Sequence, residues 1–275
     1  MKILTWNIWQ YAVPWDKPEL PGVVAGYPAG APRPSPWAYW VQRRAMILAT
    51  LAAERPDVVL LQECATDAEA APDAPNQAAQ LAEALGYTFV YHRAAASRRR
   101  PAEFGQAVLA APGWTIQAAT AYDLPSEAPP KDSPRIALGA DLTGPAGSLR
   151  VLDAHFSLDA AARRRSVEQL LAQTAGWPAP LLLAGDLNDV PASAAITRLT
   201  QAGWQDCWAA VHPTDAGFTF ATPTPFIRLD YVFQAPAGPL HPVVALRAGV
   251  TPDGAGFFPS DHAGIVVEFA AARTG

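Results

Sequence analysis

The chain lacks several features that would otherwise decide its class. Its 275 residues include only two cysteines, Cys64 and Cys207, which excludes a disulfide scaffold and leaves two buried, reduced thiols as the expectation. No apolar run approaches the ~18 residues a membrane-spanning helix needs. The opening MKILTWNIW carries one lysine and a short apolar stretch broken at Asn7, without a small-residue cleavage site, so it reads as a strand and not as a signal peptide. A basic excess is missing too. The formal net charge is -5, which argues against a protein that holds nucleic acid chiefly through its phosphates. No Gly/Ser run, charge block or shift in composition marks a joint, so residues 1–275 read as one domain, soluble and cytoplasmic.

What the chain does have is many short β-like runs rich in Val, Ile and Leu, bounded by Gly, Pro or Asp. They cover Lys2 to Ile8, Asp57 to Leu61, Tyr87 to His92, Gln106 to Ala111, Ile136 to Leu142, Leu149 to His155, Pro180 to Ala184, Ile227 to Phe233 and Ala263 to Phe269. Helical spacing of apolar residues falls between some of them, at Trp40 to Arg55, Gln77 to Leu85, Ala160 to Ala175 and Ala192 to Gln201. Strands that follow one another directly, mixed with strands separated by helices, fit packed sheets with helices outside better than one alternating parallel sheet. Residues Gln10 to Pro36 break the pattern with many Pro and Gly plus Tyr11, Trp15 and Tyr27; a long irregular stretch of this kind reads as a lid. Ser97 to Glu103, with Arg98, Arg99 and Arg100, and Leu124 to Pro134 are also irregular.

The ends of the strands carry the chemistry. In order they are TWNIW with Asn7, LLQEC with Glu63, LDAHFS with Asp153 and His155, LLLAGDLND with Asp186, Asn188 and Asp189, RLDYVF with Asp230, and PSDHAG with Asp261 and His262. Each has a structural explanation when taken singly: a strand-end turn for Asn7, a solvated charge for Glu63, a helix cap for Asp186, Asn188 or Asp189, a turn cap for Asp261, a satisfied histidine for His155. Together they are harder to dismiss, because only 16% of the chain is charged and acids or histidines still end nearly every one of these runs. Several carboxylates gathered in one place need a cation or raised pKa values. Hard oxygen donors without a Cys or His cage suit Mg²⁺, with Mn²⁺ able to substitute, and two histidines can supply a general base and a general acid near neutral pH.

In this order and at these separations, the segments resemble the endonuclease/exonuclease/phosphatase superfamily over Leu4 to Phe269. The resemblance implies a four-layer αββα sandwich, two packed mixed β-sheets flanked by helices, and a metal-dependent phosphoesterase. It implies Glu63 as the principal metal ligand, helped by Asn7 and Asp261. Asp186 would orient or deprotonate the attacking water, Asn188 would bind phosphate, and Asp230 and His262 would form an Asp–His pair. His155 would be the general acid toward the leaving oxygen. His155 and Trp9 both depart from the AP endonuclease pattern. Arg135, in SPRIAL, is either a phosphate contact or a solvated surface arginine.

The ester is the least legible part. The dense basic cluster is Arg98 to Arg100 with Arg93 nearby; Arg163 to Arg165 is expected to cover one helix face. Trp15, Trp37 and Trp40 suit either an apolar approach for a lipid or a core beneath a lid. The favoured reading is hydrolysis of a small, sugar or lipid phosphomonoester or diester. A nuclease is the second reading, and a non-catalytic ligand-binding scaffold the third.

Overall fold

The computed structural model describes residues 1–13, 34–67, 74–96, 102–128, 131–178, 180–236 and 238–271. Among these described residues, twelve strands form two six-stranded sheets. In the first, the order is β11 (Leu240–Ala248), β12 (Gly264–Ala271), β1 (Lys2–Asn7), β2 (Val58–Asp67), β4 (Ala102–Ala110) and β3 (Thr88–Ala96). In the second it is β5 (Thr115–Leu124), β6 (Arg135–Gly144), β7 (Gly147–His155), β8 (Leu181–Asp186), β10 (Asp230–Gln234) and β9 (Gln205–Asp206). Both sheets are mixed: β1 runs parallel to β2 and β7 parallel to β8, while the other pairings are antiparallel.

The alternation of side chains along each strand builds the layers. Ile3, Val58, Leu60, Val151, Leu182, Ala184 and Val232 belong to one buried cluster between the sheets. Residues one step out of phase face helices instead. Leu4, Trp6, Val59 and Leu61 meet Trp40, Ile47 and Leu51 of α1 (Pro36–Glu54) and Leu81 of α2 (Gln77–Leu85). Leu152, Ala154, Leu181 and Leu183 meet Val167 and Leu170 of α3 (Ala160–Thr174) and Ile196 and Leu199 of α4 (Ala194–Gln201). The expected four-layer sandwich is therefore the observed one. Leu60 is fully buried between the sheets, and truncating such a residue to Ala costs on the order of 2–5 kcal/mol.

Local chemistry sets the helix ends. Ser35 accepts from Ala38 N at 3.2 Å ahead of Pro36, Asn76 caps α2, Asp159 caps α3 and Ser193 caps α4. A short helix, α5 (Cys207–Val211), starts on Asp206 and was not anticipated, nor were β5, β9 and β11. β11 carries exposed Val243 and Val244 at a sheet edge, and β5 is largely exposed, so neither shows the apolar signature of a buried strand. The strand expected to end at Leu61 continues through a bulge to Asp67. The one expected from Ile227 begins only at Asp230. Cys64 and Cys207 are both buried and free, and burial pushes both thiols up. Trp40 is a core residue under Tyr11, not part of an apolar approach. Trp15, Tyr27, most of the lid segment and Arg98 to Arg100 lie outside the described residues.

Candidate active site

Strand register assembles one half of the site. In the second sheet, His155 pairs with Asp186 across the parallel β7–β8 ladder, and Asp230 pairs with Asp186 across the antiparallel β8–β10 ladder. Three adjacent strands thus end in His155, Asp186 and Asp230, all in the phase that faces the opposite sheet. Gly185 makes this approach feasible: its φ is 137°, and a Cβ there would lie 1.9 Å from the carbonyl oxygen of Ala154.

Asp186 Oδ2 is the hub. It accepts from Asn7 Nδ2 at 3.1 Å and lies 3.5 Å from His155 Nε2 and 3.8 Å from His262 Nε2. Its other oxygen accepts from the backbone N–H of Asn188 at 2.9 Å. Ser193 is the cap of α4, so Asp186 and Asn188 are not spent on the helix. Asn188 has φ 50°, and its amide donates to Phe156 O at 3.0 Å. Asp189 has a structural place: it accepts from Arg163 at 2.8 Å and from its neighbour Val190 N.

His262 reaches the hub from the loop before β12. Its Nδ1 is 2.8 Å from Asp230 Oδ2, its backbone N–H donates to Ser260 Oγ, and Phe220 packs on the ring at 4.7 Å. Thr219 Oγ1 in turn accepts from the backbone N–H of Asp230 at 3.3 Å. Burial alone would lower the imidazole; the carboxylates of Asp230 and Asp186 overcome it and push His262 up to about 10. Burial raises Asp186, reinforced by Asp230 and opposed first by His262, to about 7.

The other half comes from the first sheet and is irregular. Simple alternation would turn Glu63 toward the helices with Val59 and Leu61. The β2–β4 register instead shifts between Leu61 and Cys64, and Glu63 adopts φ 57°, as a bulge that re-aims a side chain does. The Glu63 carboxylate meets Asn7 Nδ2 at 3.3 Å and Gln10 Nε2 at 2.9 Å. Asn7 thus bridges Glu63 of one sheet and Asp186 of the other. Asp261 is buried beside His262, its Oδ1 3.5 Å from Ser260 Oγ.

Arg135 is buried, not a solvated surface arginine. Its Nη1 donates to His155 Nε2 at 2.7 Å, while Nε and Nη2 donate to Asp132 Oδ1 at 3.1 and 2.8 Å. Ser157 and the Leu158 backbone hold the other Asp132 oxygen. In this arrangement His155 Nε2 is an acceptor. Asp153 does not join this group; it lies deeper between the sheets, accepts from Gln62 Nε2 at 2.6 Å, and burial holds its carboxyl well above the usual range.

Two sets of residues could hold a metal. Asp186, Asp230 and His262 place ligand atoms within 4.8 Å of one another. Yet Asp230 and His262 are already bonded to each other, and an imidazolium has no lone pair to offer. Glu63 fits a hard cation better: each carboxylate oxygen takes an amide N–H and keeps a further lone pair, with Asp186 across Asn7.

A profile of the Endonuclease/Exonuclease/phosphatase family matches residues 4–262. The chain belongs to that family. Members are hydrolytic phosphoesterases and nucleases that typically use a divalent metal, and this chain is an enzyme of that class. Solved structures agree on the fold. An endonuclease/exonuclease/phosphatase from Beutenbergia cavernae is 24% identical with TM-score 0.71, over 99% of this chain and 72% of that one. The human Nocturnin catalytic domain with bound sulfate is 18% identical with TM-score 0.69, over 98% and 94%. D. rerio TDP2 complexed with single strand DNA product is 21% identical with TM-score 0.69, over 98% and 99%. No curated relative matches the sequence.

Several family-site neighbours escaped the sequence reading. Gln10, Asp132 and Thr219 sit in irregular segments, where no periodicity singles them out; only the DSPR spacing of Asp132 and Arg135 offered a hint of a local pair. Arg43 lies on the Pro36–Glu54 helix, where the apolar spacing carries no sign that it is fully buried.

Proposed function

We propose that this enzyme hydrolyses a phosphate ester by in-line attack of water, with a divalent cation, Mg²⁺ or Mn²⁺, held by Glu63 together with Asn7 and Asp261. The reading rests on one observation: Asp186 Oδ2 stands within 4 Å of Asn7, His155 and His262, with Glu63 on the far side of Asn7. When bound, the cation would polarise a phosphoryl oxygen and stabilise developing charge. Asp186 orients and deprotonates the water. His262, kept protonated by Asp230, shares the charge that grows on the phosphoryl oxygens, as does Asn188. Arg135 leaves His155 for an incoming phosphate oxygen, a stronger acceptor than neutral imidazole; the freed His155 Nε2 then takes up a proton from solvent and delivers it to the leaving oxygen. Residues 1–275 act as one catalytic unit, since these groups come from both sheets.

For the ester itself, a small, sugar or lipid phosphate is favoured. The net charge is -5. Arg163 is taken by Asp189, and beside the site Leu158, next to Ser157, and Phe226, 6.4 Å from Phe220, are each 63% exposed, so among the described residues the rim is apolar more than basic. A nuclease remains the second reading, prompted by the TDP2 relative seen with a DNA product. Phosphomonoesters, phosphodiesters, inositol phosphates, phospholipids and plasmid DNA assayed with Mg²⁺, Mn²⁺ and chelator separate the two. Turnover of a small ester without nicking supports the first; salt-sensitive nicking alone overturns it. Glu63→Ala is expected to abolish metal-dependent turnover while the protein still melts cooperatively; wild-type turnover would refute the metal role.

A further inference from the structure

Arg43 is a fully buried cation with no carboxylate partner at ion-pair distance among the described residues. An unpaired buried charge is expensive, so something must hold it. Its Nη1 donates to Ile8 O at 2.9 Å and to Pro259 O at 3.2 Å, and its Nη2 to Trp9 O at 3.4 Å and to Gln10 O. Trp9, Tyr39 and Trp40 surround the guanidinium, the first two at 5.3 Å from their ring centroids and the third at 5.6 Å. Burial lowers its pKa; Tyr39, Asp261 and Glu63 act against that.

What these carbonyls belong to gives the contact its meaning. Trp9 and Gln10 have φ 59° and 43°, a left-handed conformation that is unfavourable for a bulky L-residue and has to be held by its surroundings. Gln10 then clamps Glu63 twice, through its backbone N–H to Glu63 O at 3.1 Å and through Nε2 to Oε2 at 2.9 Å. Gln77 Nε2 shares the Gln10 carbonyl with Arg43, at 2.7 Å. Pro259 precedes Ser260, whose hydroxyl donates to Asn7 O at 2.6 Å. One side chain therefore ties the segment carrying Asn7 and Gln10 to the loop carrying Asp261 and His262.

We propose that Arg43 is a positioning residue for the metal site, fixing the Ile8–Gln10 backbone so that Asn7 and Gln10 hold the Glu63 carboxylate in a ligating pose. The inference rests on the reading of Glu63 given above. A lysine cannot replace it, because a single ammonium cannot reach four carbonyls spread along a planar fork. Supporting residues behind metal ligands typically contribute 10- to 100-fold in affinity.

The test is calorimetric titration of MnCl₂ into the full chain, with melting curves alongside. Arg43→Lys and Gln10→Ala are each expected to weaken Mn²⁺ binding about tenfold or more. The Mg²⁺ concentration that half-activates turnover should rise in parallel, while kcat at saturating metal stays within about threefold. A lowered melting temperature in Arg43→Lys with unchanged Mn²⁺ affinity overturns the proposal. If Arg43→Lys does not fold, the half-buried Gln10→Ala decides alone, and unchanged affinity there overturns it as well. Absence of Mn²⁺ binding to the unmodified protein would sink the metal reading and this inference together, which distinguishes that failure from a failure of Arg43.

Discussion

The two halves of the site are built by different means. On the second sheet, His155, Asp186 and Asp230 fall into place through regular strand register, one residue per strand end. On the first sheet, Trp9, Gln10 and Glu63 all adopt left-handed backbone, and the alignment depends on a bulge, a glutamine clamp and a buried arginine. In the proposed mechanism the regular half carries the groups that move or stabilise protons. The irregular half carries the oxygen donors suited to a cation. Strand pairing repeats in steps of two residues and can line up charges, but it cannot by itself turn a carboxylate through the angle a ligand requires.

The sharpest way to break this comparison is to remove the hub. Asp186→Asn and His262→Ala are each expected to cost at least ~10² in kcat, with raised Mn²⁺ giving no recovery, because the loss lies in water deprotonation for the first and charge stabilisation for the second, not in metal binding. Recovery by metal would mean that Asp186 belongs to the cation half. Steady-state rates across a metal titration decide it.

A pH profile probes the same half with a smaller change. In the proposed mechanism turnover needs Asp186 ionised and His262 protonated, so the rate should rise through about 7 and fall toward about 10. A cation beside Asp186 favours its charged form, so saturating metal should move the acid limb downward. Asp230→Asn removes a negative charge that raises both groups, so both limbs should shift to lower pH. An alkaline limb that stays in place would show that Asp230 does not hold the His262 proton.

The smallest expected effect serves as a control for both halves. Ser193→Ala removes the α4 cap, which accepts from Ile196 N at 3.2 Å, and should lower stability by about 1 kcal/mol. Chemical denaturation would measure that loss, and kcat and the metal dependence should be unchanged. A kinetic defect would mean that the site is sensitive to any loss of stability, and the Arg43 comparison would need that correction.

Much of the fold is legible in the sequence alone. Asn7, Glu63, His155, Asp186, Asn188, Asp230, Asp261 and His262 stood out because each interrupts or ends an apolar run, and runs of that kind mark buried strands. The helix Gln77–Leu85 was readable from its spacing, and Gly86 ends it in a left-handed conformation. Edge strands such as β11 and the two-residue β9 were not, since an exposed or very short strand has no apolar signature to read. Arg135 could be placed no better than surface or site, because an arginine's burial depends on Asp132 and His155, which reach it only in three dimensions.

Period-two alternation of apolar residues, with acids and histidines at the strand ends, was enough to point to packed sheets under a helical cover and to candidate groups for chemistry, while the two-sheet, four-layer form came from the family resemblance. Tertiary structure alone decided that Asp153 lies beneath the site while Glu63 turns into it, and that Arg43 and Gln10 stand behind Glu63. The physical reason is that these outcomes hang on backbone carbonyls, a bulge and positive φ angles, and such features arise from packing between distant segments, not from side-chain identity along one of them.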